Sequence, residues 1–269
     1  MNIESSNHQS GSIRPSSPGQ WQDAGVLVVG ATSGLGTAAA QAFAGAGARV
    51  VVAGRNQQAG ERIAAELSAR YAKVDVLDSG QLKAALAVAA EAPQGLRAVV
   101  NAAGSAIVRK TADRHGAHDL ESFTEQIQTN LIGSFNVLRL AAEALQGQEP
   151  LEGFGRGVIV LTSSIAGFEG QRGQVAYAAS KGGVNAMVLP AARDLARDQI
   201  RVLGVAPGVF DTPFMDVLPE EAKAELGHAV PFPQRLGNPG EYGKLLVDLA
   251  SNQMMNGEVV RLDGALRLG

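Results

Sequence analysis

VLVVGATSGLGTAAAQAFAGA, residues 26–46, is the stretch whose reading decides the fold. Val26–Val29 is a short apolar run, which reads as a buried strand. An Ala-rich segment reaching Ala46 reads as a helix. Between them lie Gly30, Thr32, Ser33, Gly34, Leu35 and Gly36. Glycines at 30, 34 and 36 permit a tight turn and let backbone approach a dinucleotide pyrophosphate at the helix N-terminus. Strand before and helix after are the context that such a loop requires.

The same alternation continues outward. Strands are expected at Arg49–Ala53, Ala72–Val76, Leu96–Val100, Val158–Leu161, Ile200–Val205 and 258–262. Helices are expected to about Ala69, near 79–92, over Leu120–Gln146, around Tyr177 and at 240–251. Strands and helices in turn predict one doubly wound α/β (Rossmann) parallel sheet of about seven strands, with helices on both faces. Ligands of such sheets bind beyond the carboxyl ends of the strands. That rule singles out Asp75 and Val76 at the end of the third strand and Asn101-Ala102-Ala103-Gly104 at the end of the fourth. It also singles out Pro207-Gly208-Val209-Phe210-Asp211-Thr212 after the sixth. Asn130 beside Gly133 in mid-helix marks a π-bulge or a bound water. Residues 105–120 are a polar loop, longer than usual, which suits contact with substrate. Residues 213–239, bearing Pro and Met, read as an irregular lid.

The chain has 269 residues, with 23 basic and 26 acidic side chains and a net charge of −3. That balance implies no polyanion, and no basic block argues for nucleic acid. Cysteine is absent, so disulfides, cysteine-based zinc sites and a cysteine nucleophile are excluded. His115 and His118 form an HxxH in a polar stretch and read as solvated loop, so no metal is expected. No apolar run reaches membrane-spanning length. Residues 1–22, rich in Ser, Gly, Pro, Asn and Gln, are expected to be a disordered tail. Residues 23–269 then form one dinucleotide-binding domain that includes the substrate site. Without an apolar leader, the expected compartment is cytoplasmic.

A second stretch carries the chemistry: TSSIAGFEGQRGQVAYAASKGGV, residues 162–184. Tyr177 and Lys181 are four apart, one helical turn on the same face. A nearby ammonium favours phenolate over phenol, whose ordinary pKa is about 10, and so makes tyrosine a usable acid/base. Ser164 follows the apolar run at 158–161 and falls at the carboxyl end of a strand. The three side chains can meet around one carbonyl.

Together, GATSGLG, NAAG, Asn130, Ser164, YAASK and the PG…T element resemble the short-chain dehydrogenase/reductase family over residues 24–269. Val29 departs from it, since many members carry Thr there. FEGQRGQVAYAASKGG, LPAARDLA, VPFPQRLGNPGEY, NGEVVRLDGALR and the 105–120 loop resemble the type 2 3-hydroxyacyl-CoA dehydrogenases within that family. The resemblance implies oxidation of a 3-hydroxyacyl-CoA to the 3-oxoacyl-CoA. The alternative it leaves open is reduction of 3-oxoacyl carrier-protein thioesters, steroids or other ketones. It implies that Tyr177 transfers the proton and that Lys181 lowers its pKa and holds the ribose. Ser164 would bond the substrate oxygen, Asn130 would hold a relay water and Gln171 would line the pocket. It further implies a homotetramer, with the 120–146 and 176–196 helices paired across an interface.

Cofactor choice sets motif against relatives. NAD-selecting folds place Asp or Glu about 20 residues past the glycine loop, on the adenosine ribose. The matching position here is Gly54, which neither bonds the ribose nor repels a 2′-phosphate. Arg55 follows and suits a phosphate. NADP(H) is therefore expected, with the family group's NAD(H) as runner-up.

Overall fold

The computed structural model describes residues 19–215 and 219–268. Its centre is a seven-stranded parallel sheet. Five strands lead: β1 (Gly25–Val29), β2 (Arg49–Gly54), β3 (Arg70–Lys73), β4 (Leu96–Asn101) and, after a two-strand hairpin, β7 (Gly157–Thr162). The last two are β8 (Ile200–Pro207) and β9 (Val259–Leu262). The order is β3-β2-β1-β4-β7-β8-β9. It reverses between β1 and β4, the switch point where doubly wound sheets open a ligand crevice.

Side-chain alternation along the strands sorts the core into two layers. Val26 and Val28 of β1 face one cluster, Leu27 and Val29 the other. The first is covered by α1 (Gly34–Gly45), α2 (Gln57–Glu66) and α8 (Pro239–Ser251). The second is covered by α3 (Ser79–Ala90), α5 (Gly133–Gln146) and α6 (Val175–Asp194). The β1, β4, β7 and β8 strands are buried throughout. At about 1.5–3 kcal/mol for each fully buried Val, Leu or Ile, these central strands dominate the stability of the fold.

The structure departs from the sequence expectation in four regions beyond shifts of one or two residues at strand ends. The ordered chain begins before residue 23, because Trp21 is a core residue. Its ring lies edge-on to Phe43 and Phe154, each at 4.9 Å, and its Nε1 donates to Ser251 Oγ at 2.9 Å. One indole supplies the apolar area that the composition around it lacks. The tail expected at 1–22 otherwise falls at residues 1–18, outside the described residues.

The third strand ends at Lys73, not Val76. Val74 N still bonds Gly54 O at 3.1 Å. Then Asp75 N donates to Gln81 Oε1 in place of a strand carbonyl, and Val76 O accepts from Asn136 Nδ2 at 2.7 Å. Val74 and Val76 are apolar because they are buried in a loop, so burial had mimicked a strand. The 105–120 loop holds a small antiparallel hairpin, β5 (Ala112–Asp113) with β6 (Gly116–Ala117). It leads to α4 (Leu120–Ile127), capped by Asp119.

The segment 213–239 is not wholly irregular, since α7 (Glu220–His228) lies in it. Glu220 and Glu221 in its first turn complement the helix dipole.

Candidate active site

The glycine turn forms as its sequence requires. Gly30 has φ +82, and a β-carbon there would lie 2.4 Å from Ala103 N. A β-carbon at Gly36 would lie 2.1 Å from Gly30 O. Only glycine permits β1, β4 and α1 to converge this closely. Ser33, the N-cap of α1, makes no side-chain capping bond, and no acidic residue stands in the first turn. The helix therefore presents free N–H groups and a positive dipole end to the crevice, the arrangement that holds a pyrophosphate. Thr212 stands over this end, its Cβ 3.3 Å from where a β-carbon of Gly34 would be. Thr32 lies against Gly54 at the end of β2, and Arg55 beyond it is exposed.

Across the switch point the catalytic candidates converge. Ser164 is the N-cap of a 3-10 turn at the end of β7, its Oγ accepting from Ala166 N at 3.1 Å. Tyr177 and Lys181 share one face of α6. Lys181 Nζ is 5.9 Å from the Tyr177 ring centroid and donates to Thr162 O at 2.9 Å. Burial pushes the Tyr177 phenol above its ordinary range, and the Ser164 hydroxyl draws it partly back. Burial pushes the Lys181 ammonium down to about 8. This differs from the expectation that Lys181 lowers the tyrosine. Desolvation is the larger influence on the phenol, and the Lys181 ammonium, 5.9 Å from the ring centroid, donates to the Thr162 carbonyl.

Asn130 lies in a π-helical turn, Gln128–Ile132, between α4 and α5, as its position beside Gly133 suggested. Its side chain is fully buried. Nδ2 donates to Ser105 O at 2.9 Å and to Ser180 Oγ at 3.1 Å, while Oδ1 accepts from Ser105 N at 2.9 Å. Ser180 Oγ donates in turn to Tyr177 O at 2.8 Å. The amide is thus a brace between the 105 loop and α6, with both of its N–H donors engaged.

Asn101 also turns inward. Its Nδ2 donates to Ser134 Oγ at 3.0 Å and its Oδ1 accepts from Ala103 N at 3.2 Å. It holds the loop that carries Ala103 and Gly104. Asp75 is half-buried past the strand end, with Oδ1 accepting from Leu77 N at 2.9 Å. Val76 beside it is buried. Pro207, Gly208, Val209 and Phe210 pass from β8 into the turn, with Phe210 packed in the core. Gln171 is exposed on the segment between Ser164 and Tyr177.

Several contributors were not singled out in the sequence. Gln126, fully buried, donates to Ser105 O at 2.7 Å and accepts from Ile107 N at 2.6 Å. It sits four residues before Asn130, a spacing that could have flagged it. Thr162 offers its carbonyl to Lys181 and its hydroxyl to Tyr242 at 2.6 Å. Lys73 stands in register beside Gly54. Nothing local in the sequence marks these two. No group of His, Cys, Asp and Glu able to hold a metal occurs among the described residues.

The family model for short chain dehydrogenases matches residues 24–223. The chain is 46% identical to the 3-hydroxyacyl-CoA dehydrogenase type-2 of Bos taurus, over 90% of this chain and 94% of that one. It is 32% identical to a 3-oxoacyl acyl-carrier-protein reductase of Thermotoga maritima, over 89% and 96%. Among solved structures, the 3-hydroxyacyl-CoA dehydrogenase type-2 of Mycobacterium avium superposes with a TM-score of 0.89 at 40% identity. That match covers 93% of this chain and 98% of that one.

Proposed function

Because the chain belongs to the short-chain dehydrogenase family, we propose that it interconverts a 3-hydroxyacyl-CoA and a 3-oxoacyl-CoA with a nicotinamide dinucleotide. The observation that carries this reading is the Ser164–Tyr177–Lys181 set, gathered beside an uncapped, acid-free helix N-terminus. The likeness to proteins named for this reaction supports the substrate class.

The residues fit the cofactor. The glycine turn and the first N–H groups of α1 would hold the pyrophosphate, with Thr212 over them, and Lys181 would reach the ribose. The nicotinamide supplies hydride donation or acceptance. The chain supplies the rest. Ser164 Oγ holds the substrate oxygen, and Tyr177 Oη takes its proton in oxidation or returns it in reduction. Lys181 keeps a positive charge beside that phenol. Asn130 fixes the loop and helix that bear them.

The test is steady-state turnover of acetoacetyl-CoA against a panel of other ketones and a carrier-protein thioester, with NADH and NADPH. Preference for acetoacetyl-CoA is the expected result. Preference for the carrier-protein thioester would move the assignment to the second reading, which the Thermotoga relative supports.

The 105–120 loop bears a basic group suited to coenzyme A phosphates. Arg109 already pairs with Asp119, and Arg114 Nε donates to His115 Nε2 at 3.0 Å, while Lys110 is exposed. Replacing all three by Ala should raise KM for acetoacetyl-CoA by roughly tenfold or less, as for partly solvated charges. KM for a small ketone should not change. Equal effects on both substrates would remove the idea.

The assembly we propose is a homotetramer. Ile132 and Phe135 on the outer face of the π-turn and α5, and Leu189 on α6, leave apolar area exposed, which suits pairing with further copies. Sedimentation equilibrium at a single monomer mass would reject it.

A further inference from the structure

The segment 165–174 joins Ser164 to α6, and one ion cluster holds its middle. Arg261 of β9 donates Nη1 to Glu169 Oε2 at 2.9 Å and Nη2 to Glu169 Oε1 at 2.5 Å. The same guanidinium donates Nε to Asp263 Oδ2 at 2.7 Å and Nη2 to Leu266 O at 2.9 Å. Its carbon lies 5.1 Å from the Phe168 ring centroid. One planar fork thus grips the serine segment on one side and the C-terminal turn on the other, a geometry lysine cannot copy. The Asp263 side chain is 7% exposed and those of Arg261 and Glu169 are 20% and 28% exposed. Both partners of each of its ion pairs are thus mostly shielded from water.

The C-terminal turn grips two further walls. Gly264, at φ +58, accepts from Phe232 N at 3.3 Å, and a β-carbon there would lie 2.5 Å from Val230 Cγ1. Beneath it, Ile165, Val230 and Leu266 form a small buried cluster with Val209 and Leu268 against it. Ile165 directly follows Ser164. Val209 belongs to the turn after β8, and Val230 follows α7. Three walls of the crevice thus meet at the chain's C-terminal end.

We propose that Arg261 is a positioning residue for the reaction, and that the C-terminal turn it fixes sets the distance between Ser164 and the segment behind α7. The proposal rests on reading Ser164 as the ligand of the substrate oxygen. Arg261 lies on β9, away from the glycine turn at residues 30–36, so its loss should misplace Ser164 more than it disturbs the pyrophosphate end of the cradle. A misplacement of about 1 Å costs up to roughly a hundredfold in rate.

The test compares Glu169→Gln, Arg261→Lys and Arg261→Ala with the unmodified protein. In Glu169→Gln and Arg261→Ala, kcat/KM for acetoacetyl-CoA should fall roughly tenfold to a hundredfold. The Kd of NADPH and NADH, by fluorescence titration, should stay within about twofold. Arg261→Lys, which keeps charge but not the fork, should lie between Arg261→Ala and the unmodified protein. Unchanged kcat/KM in a folded Glu169→Gln overturns the proposal. A loss of cofactor affinity in step with kcat/KM overturns it too, since that marks a structural role only. If the unmodified protein does not reduce acetoacetyl-CoA, the substrate reading fails. The split is then read on the ketone it does reduce.

Discussion

Tyr177→Phe lowers kcat by roughly 10²–10⁴-fold, the usual share of general acid/base catalysis, while cofactor affinity stays near that of the unmodified protein. The substitution removes one oxygen and keeps the ring. That ring sits on α6 with Lys181 Nζ 5.9 Å from its centroid, and the substitution keeps the ring in place while removing the hydroxyl's bond to Ser164. The sign of the pH dependence follows from the shifts. Burial raises the Tyr177 phenol, so phenolate is scarce at neutral pH. Oxidation needs phenolate, so kcat/KM in that direction should rise with pH. Reduction needs phenol and should fall. Lys181, pushed down to about 8, loses its charge above that pH, and with it the cation that favours phenolate. The rise should therefore flatten in alkali. Both slopes should vanish in Tyr177→Phe. A variant retaining more than a tenth of the activity, or the same pH profile, would remove Tyr177 from the proton transfer.

The second large effect concerns the cofactor. NADPH should be favoured over NADH, and Arg55→Ala should lower kcat/KM for NADPH by roughly 10–100-fold while barely moving NADH. A hydrogen bond to a charged group contributes about 1.5–3 kcal/mol, which sets that range. Arg55 is exposed and follows Gly54, and Lys73 stands in register beside it. Two cations thus frame the end of β2, where an acid would select NAD. The reverse switch needs two changes. A β-carbon at Gly54 would lie 2.7 Å from Thr32 Cγ2 and 3.0 Å from its Oγ1. Gly54→Asp alone must displace Thr32, so it should weaken both cofactors. Thr32→Ala with Gly54→Asp leaves the nearest remaining Thr32 atom, Cβ, at 3.4 Å. That pair should turn preference toward NADH. Values of kcat/KM favouring NADH in the unmodified protein would count against Arg55 and Lys73 as phosphate ligands.

The sequence by itself determined the sheet, the glycine turn and the spacing of Ser164, Tyr177 and Lys181. Each depends on residues close in the chain. An apolar run such as Val26–Val29 can only be buried, three glycines can only turn tightly, and four residues in a helix always make about one turn. The π-turn at Asn130 was legible for the same local reason. Tertiary structure alone decided where side chains spend their hydrogen bonds. The amides of Asn101 and Asn130 close buried bonds to Ser134, Ser105 and Ser180, because a buried amide left unpaired is costly. Val74 and Val76 looked like strand because burial has one sequence signature whether it comes from a ladder or a loop. Trp21 looked like tail because its partners, Phe43, Phe154 and Ser251, are distant in sequence. Burial raises the Tyr177 phenol, and desolvation depends on everything packed around it, while a four-residue spacing reports only one neighbour.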